Sequence, residues 1–107
     1  MALRFVQAAD VSITASASLV PRGGAAGIAV DVQPPTFVQN ITIAYQGEPA
    51  QDTCGAAPCS VSHVFPVAMD DLTITAVVEF NNGDPAQQAT TEIDVVGLRL
   101  RGPATPN

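Results

Sequence analysis

The chain has 107 residues, with ten acidic side chains against four arginines and no lysine, for a formal net charge of −6. A surface of that sign repels phosphate backbones and anionic lipid headgroups, so neither nucleic acid nor a membrane surface is an expected partner. No apolar run reaches the length of about 18 residues that spans a bilayer as a helix, so membrane insertion is not expected.

The length suits one domain able to bury roughly 65% of the surface its unfolded form exposes, enough to own a core. Charged residues make up 13% of the chain, about half the usual share, so solubility must come from Ser, Thr, Asn, Gln and the backbone. The start, residues 1–10, lacks the basic and then apolar layout of a secretory signal. Residues 1–8 alternate weakly around Leu3, Arg4 and Phe5 and read as a leader or a short edge strand.

From residue 9 the alternation firms. Val11, Ile13, Ala15 and Ala17 fall on one face and Ser12, Thr14, Ser16 and Ser18 on the other, the pattern of a half-buried strand over 9–18. Pro21 ends it, and Arg22, Gly23 and Gly24 supply a turn. The run Leu19-Val20-Pro21-Arg22-Gly23 resembles a thrombin recognition sequence. Between two strand signals we read this as coincidence, and it predicts a nick after Arg22 only where the loop is free to open.

Ile28, Val30 and Val32 form the inward face of a strand over 25–33, closed by Pro34 and Pro35. A central strand over 37–46 turns Ile41, Ile43 and Tyr45 to one side. A further short strand signal covers 50–53. A strand over 60–65 places Val61, His63 and Phe65 on one face, and Pro66 ends it. The longest signal, 71–81, carries Leu72, Ile74, Ala76, Val78 and Phe80 inward. Asn81, Asn82, Gly83, Asp84 and Pro85 then provide turn chemistry. The last strand, 90–96, turns Thr91, Ile93 and Val95 inward. Beyond Gly97 the parity changes, with Leu98 and Leu100 in the phase of Glu92 and Asp94, which predicts a bulge at Gly97. Residues 102–107 read as a tail or linker, leaving 9–101 as the domain.

Residues 41–65 are the organising stretch, because they hold both cysteines, the only tyrosine and the only histidine. Cys54 and Cys59 admit one short-loop disulfide, with free thiols or a share in a metal site as the alternatives. Their spacing differs from that of redox motifs and only one histidine could join zinc, so the disulfide is expected. It implies an oxidising, extracytoplasmic compartment.

Seven strand signals, punctuated by Gly and Pro and without a capped helix, predict an all-β sandwich. Parallel pairing is not expected, because no crossover helix is available. The run Leu72-Thr-Ile-Thr-Ala-Val-Val-Glu-Phe-Asn-Asn-Gly83 resembles the penultimate strand and turn of bacterial immunoglobulin-like and fibronectin-type-III-like modules. Asn40-Ile-Thr-Ile-Ala-Tyr-Gln-Gly47 with Val61-Ser-His-Val-Phe65 is similar to their middle strands. The resemblance covers about 9–96 and implies a seven-stranded antiparallel immunoglobulin-like sandwich with Greek-key connections. It departs from antibody domains in lacking tryptophan, in the close spacing of the cysteines, and in placing Leu72 where a tyrosine corner would stand. The function it implies is that of a spacer, adhesion or accessory module in a larger extracytoplasmic, cell-surface or virion-associated protein, in contact with neighbouring domains.

Reactive constellations are sparse. Cys59, His63 and Met69 are reminiscent of a blue-copper ligand loop, but such a site needs a second histidine, which the chain lacks. No nucleophile-elbow motif accompanies the serines, so no catalytic residue, no metal and no cofactor is expected. Asp70 and Asp71 are adjacent and on a strand would diverge, which leaves at most weak calcium binding with Asp84. Glycan stacking would fall to Phe5 or Phe37, the aromatics out of core phase. Asn40-Ile41-Thr42 fits a glycosylation acceptor at a strand start. Expected partners are protein or glycan, with a homodimer through exposed edge strands as a further option.

Overall fold

The computed structural model describes residues 9–97. It is all-β, with eight strands: β1 Asp10–Ala15, β2 Leu19–Pro21, β3 Ala25–Gln33, β4 Val38–Tyr45, β5 Gln51–Cys54, β6 Cys59–Val64, β7 Met69–Phe80 and β8 Gln87–Val96. They form a three-stranded sheet ordered β1-β3-β6 and a five-stranded sheet ordered β2-β8-β7-β4-β5.

Three expectations require correction, and all trace to one place: eight strands stand where seven were expected. The first strand signal is not continuous over 9–18, and the pairing is not wholly antiparallel. Ser16 still bonds to β3, its N–H donating to the Gly27 carbonyl and its Oγ accepting from the Gly27 N–H. Two residues later the Ser18 carbonyl accepts from the Asp94 N–H, on β8 in the other sheet. The chain has changed sheets, and β2 runs parallel to β8 in the register Leu19↔Asp94, Val20↔Val95, Pro21↔Val96. A parallel pair normally needs a helical crossover because both strands lie in one sheet. β2 and β8 are not consecutive, because β3 to β7 lie between them in sequence, so the return to a parallel neighbour needs no crossover helix. The kink also resets the side-chain parity, which buries Val20 although it is out of phase with Ile13.

The core lies between the sheets and follows the alternation closely. Ile28, Val30 and Val32 are fully buried from β3, facing Ile41 and Ile43 from β4 and Leu72, Ile74, Ala76 and Val78 from β7. Val38 and Ile41 are out of phase by one residue yet both buried, and a register shift between Val38 and Asn40 reconciles them. A bulge absorbs one residue and returns the next side chain to the same face. A second register shift, between Met69 and Leu72, opens β7 and contains Asp71 at φ 52°. The parity change at Leu98 and Leu100, for which a bulge at Gly97 was expected, lies outside the described residues, as do the segments 1–8 and 98–107.

The strand order sets where the margins meet. β1 and β2 occupy one lateral margin of the two sheets and are joined by the sheet-changing kink. β6 and β5 occupy the opposite margin. The tyrosine, the histidine and both cysteines converge on that second margin.

Candidate functional site: the margin between β5 and β6

Cys54, the last residue of β5, and Cys59, the first of β6, are bonded to one another with a Cα separation of 5.9 Å. The expected disulfide is therefore present, and it joins the two sheets at their margin. Close spacing in sequence had argued against an inter-sheet bridge. It is compatible with one because both partners are edge strands linked by a short loop, 55–58.

A few residues along, β6 turns His63 inward in phase with Cys59, Val61 and Phe65. The imidazole stacks on the Tyr45 ring with centroids 3.6 Å apart and planes 8° apart, while Phe65 meets it edge-on at 4.7 Å. Its two nitrogens both face carboxylates: Nε2 lies 2.8 Å from Glu48 Oε1, and Nδ1 lies 3.6 Å from Asp52 Oδ2. The Tyr45 hydroxyl donates to the same Asp52 oxygen at 2.7 Å. His63 therefore belongs to the three-stranded sheet and is held by side chains of the five-stranded sheet and its β4–β5 turn.

That turn is built to deliver Glu48. The Glu48 N–H donates to the Tyr45 carbonyl, closing a four-residue turn. Its third position, Gly47, sits at φ 81°, a conformation that side chains with a Cβ avoid. Gln46 anchors the turn to β7, its N–H donating to the Thr73 carbonyl and its side-chain oxygen accepting from the Thr73 N–H. Asp52 follows on β5, opposite Ile43 in register.

Burial pushes the Tyr45 hydroxyl well above the ordinary phenol range, reinforced by its hydrogen bond to Asp52 and by the nearby Asp52 and Glu48 charges. Tyr45 is therefore a neutral donor throughout the physiological range. No buried side-chain nitrogen or oxygen among the described residues lacks a partner. The buried polar atoms of the cluster are satisfied by one another. Chemically it is a clasp: one covalent bond, one stacked ring pair and two carboxylates spanning the same gap.

The remaining candidate residues are scattered. Cys59 is committed to the disulfide, so it is not a thiolate ligand for a metal beside His63 and Met69. Among the described residues, no group of three or more His, Cys, Asp or Glu side chains is disposed to hold a metal ion. Asp70 and Asp71 begin β7, whereas Asp84 lies in the hairpin beyond its far end, bonded to Asn82. A strand of that length separates them by roughly 35 Å, so the three carboxylates are not brought together. Asp71 donates its N–H to the Asp94 carboxylate instead. Phe37 is 48% exposed, as its phase predicted. Asn40 is half-buried within β4 rather than at an exposed strand start, and its Nδ2 donates to Thr42 Oγ1 at 3.3 Å. The strand thereby occupies both polar groups of the glycosylation triplet.

Glu48 and Asp52 were not singled out from sequence. The signal was present: Tyr45 and His63 share inward parity on strands flanking one short excursion, and these two carboxylates are the only charges within it. No known family model, curated protein or solved structure matches the chain.

Proposed function

We propose that the chain is a non-enzymatic immunoglobulin-like module of a larger extracytoplasmic, cell-surface or virion-associated protein, acting as a spacer or protein-contact surface. The observation that carries this reading is the strand order. β1-β3-β6 facing β8-β7-β4 corresponds to the A-B-E and G-F-C sheets of immunoglobulin-like sandwiches, with β5 as an added edge strand. The first strand's change of sheet is in keeping with that plan. Fold-level correspondence says little about chemistry, so the site must speak for function. Here the polar cluster at the β5–β6 margin is spent on holding the two sheets together, which suits a structural module better than a catalyst.

The disulfide supports an oxidising compartment. The test is alkylation of Cys54 and Cys59 in the native host, followed by mass analysis without reduction. An unlabelled bridged pair is expected, and two labelled thiols in the host would overturn the assignment of compartment. A second reading, an accessory module that binds a glycan or protein, is favoured by the exposed Phe37 ring. Binding on a glycan array that disappears in Phe37→Ala would select it, and silence across the array would remove the glycan version.

A further inference from the structure

Three asparagines lie among the described residues, and the fold treats them differently. Asn40 sits inside β4, and the residue after it, Ile41, is fully buried and held in register between Cys54 of β5 and Val78 of β7. Asn81 donates its N–H to the Phe37 carbonyl and is followed by Asn82, whose own side chain hinders the peptide nitrogen between them. Asn82 is exposed and stands beyond the β7–β8 ladder, which ends at Val78↔Gln87. Its carboxamide is gripped at both ends by one residue. The Asp84 N–H donates to Asn82 Oδ1 at 3.0 Å, and Asn82 Nδ2 donates to Asp84 Oδ2 at 3.1 Å. Between them Gly83 sits at φ 91°, with nothing within 4 Å of where a Cβ would stand.

We propose that Asn82 is a self-modification site, converted to aspartate and isoaspartate through a cyclic imide formed with Gly83, with the Asp84 carboxylate as the proton-transfer group. The Gly83 backbone nitrogen attacks Asn82 Cγ, which forms a C–N bond and places negative charge on Oδ1. The Asp84 carboxylate takes the Gly83 N–H proton and passes it to Nδ2, so that the Cγ–Nδ2 bond breaks and ammonia leaves. Water then opens either carbonyl of the imide, its hydroxyl going to the carbon and its hydrogen to the nitrogen. Opening at the side-chain carbonyl gives aspartate, and opening at the main-chain carbonyl gives isoaspartate. Nothing is oxidised or reduced, and water is the one co-reactant.

The reacting groups are neighbours in one chain, so no encounter has to be arranged. Glycine brings no side chain to obstruct its own nitrogen, and the open space around Gly83 leaves the peptide free to turn toward Cγ. The Asp84 N–H is aimed at the oxygen on which charge develops, as a preorganised donor should be. Its carboxylate lies against the nitrogen that must leave. No ladder pair involves Asn82 or Gly83, so ring closure breaks no strand pairing. The product carries one more negative charge beside Asp84 and has lost the Nδ2 donor, and isoaspartate also lengthens the backbone. Because Asn81 ties this loop to the Phe37 carbonyl, the change loosens that end of the protein. This proposal does not depend on the immunoglobulin-like reading.

The experiment uses the full chain, held folded at neutral pH, digested under mildly acidic conditions and read by peptide mass, with isoaspartyl methyltransferase labelling to separate the two products. Asn82 should show the mass change of amide to acid with both isomers present, while Asn40 and Asn81 stay intact. Asp84→Ala and Asp84→Asn should fold with unchanged Tm and slow the conversion at least about tenfold, less than a fully preorganised proton-transfer group contributes. In urea the wild type and Asp84→Ala should convert at the same rate, because the grip on the carboxamide exists only in the folded turn. An Asn82 that stays intact in the folded chain while it converts in urea would overturn the proposal. Conversion without isoaspartate would remove the imide, and an unchanged rate in folded Asp84→Ala, or slowing that persists in urea, would remove the role of the Asp84 grip.

Discussion

Replacing Cys54 and Cys59 together by alanine isolates the covalent part of the clasp. The two residues are five apart in sequence, so the bridge closes a short loop. In the chain-entropy account a loop of that size stabilises the folded state by about 2 kcal/mol through the unfolded ensemble. Cys59 is 1% exposed, so removing its sulfur also leaves a small void in the core, worth about 0.5 kcal/mol more. The expected loss is therefore about 2.5 kcal/mol, which for a domain of this size lowers Tm by roughly 10 to 15 °C. Urea denaturation of the oxidised wild type, the reduced wild type and the double variant measures it, and the last two should nearly coincide. Exchange should accelerate most at the amides of β5, a four-residue strand that pairs only with β4. A loss below about 0.5 kcal/mol would refute the reasoning, because the remaining His63 and Tyr45 contacts would then suffice to hold the margin.

Tyr45 is the only tyrosine and there is no tryptophan, so phenolate absorbance reports that one side chain. Its raised pKa means that the folded state holds a proton the unfolded state releases. The stability this contributes is complete below the unfolded value of about 10 and is lost as pH rises beyond it. Folded protein should show no phenolate at about pH 10.5, urea should release it there, and Tyr45→Phe should abolish the alkaline fall in stability; phenolate titrating normally in folded protein would count against the burial. Ile74 is fully buried in the centre of β7, so Ile74→Ala should cost about 3 to 4 kcal/mol by denaturant midpoint with an unchanged m-value. Trypsin should leave 9–97 intact under native conditions although Arg22 is exposed, because the Arg22 N–H donates to the Val96 carbonyl and the Gly23 N–H to the Phe65 carbonyl. Rapid native cleavage after Arg22 would show that β2 opens locally at little cost.

What could be read from the sequence was governed by period. Strand β3 alternates without a break from Ala26, and β4 and β7 do so from Ile41 and Leu72 onward, and their buried residues Ile28, Ile43 and Ile74 fall where that alternation puts them. The failures occur where hydrogen bonding or geometry changes parity without a residue type that announces it. Ser16 to Ser18 continue the alternation of β1 flawlessly on paper, yet the backbone bonds of Ser16 and Ser18 go to different sheets. Serine is tolerant enough of such a kink to leave no mark. The shifts at Val38 and Met69 are equally silent, because valine and methionine suit either strand face. The clasp was half legible. His63 read as an inward strand residue, as it is, but its stacking on Tyr45 depends on which sheet each strand joins. Alternation along one strand carries no information about the sheet across the core.

The two lateral margins of the paired sheets meet the same physical problem with different means. An edge strand exposes unpaired backbone groups and invites pairing with another chain. On one side the chain itself crosses over, and the three residues of β2 cap β8 while β1 stays on β3. That solution uses backbone bonds and one buried valine, Val20. On the other side no segment is left to cross, since β5 and β6 are separated only by a short loop. There the margin is drawn together by side chains: the Cys54–Cys59 bond at one level, and His63 between Tyr45, Glu48 and Asp52 at the next. Two ties at different heights resist twisting of β5 against β6, which one tie would allow. An acidic protein with few cations has little other means to hold this gap, because opposite charges for surface ion pairs are scarce. The one histidine reaches from β6 to two carboxylates on the β4–β5 side, Glu48 and Asp52, and its removal should weaken this margin while leaving β2 and β8 unaffected.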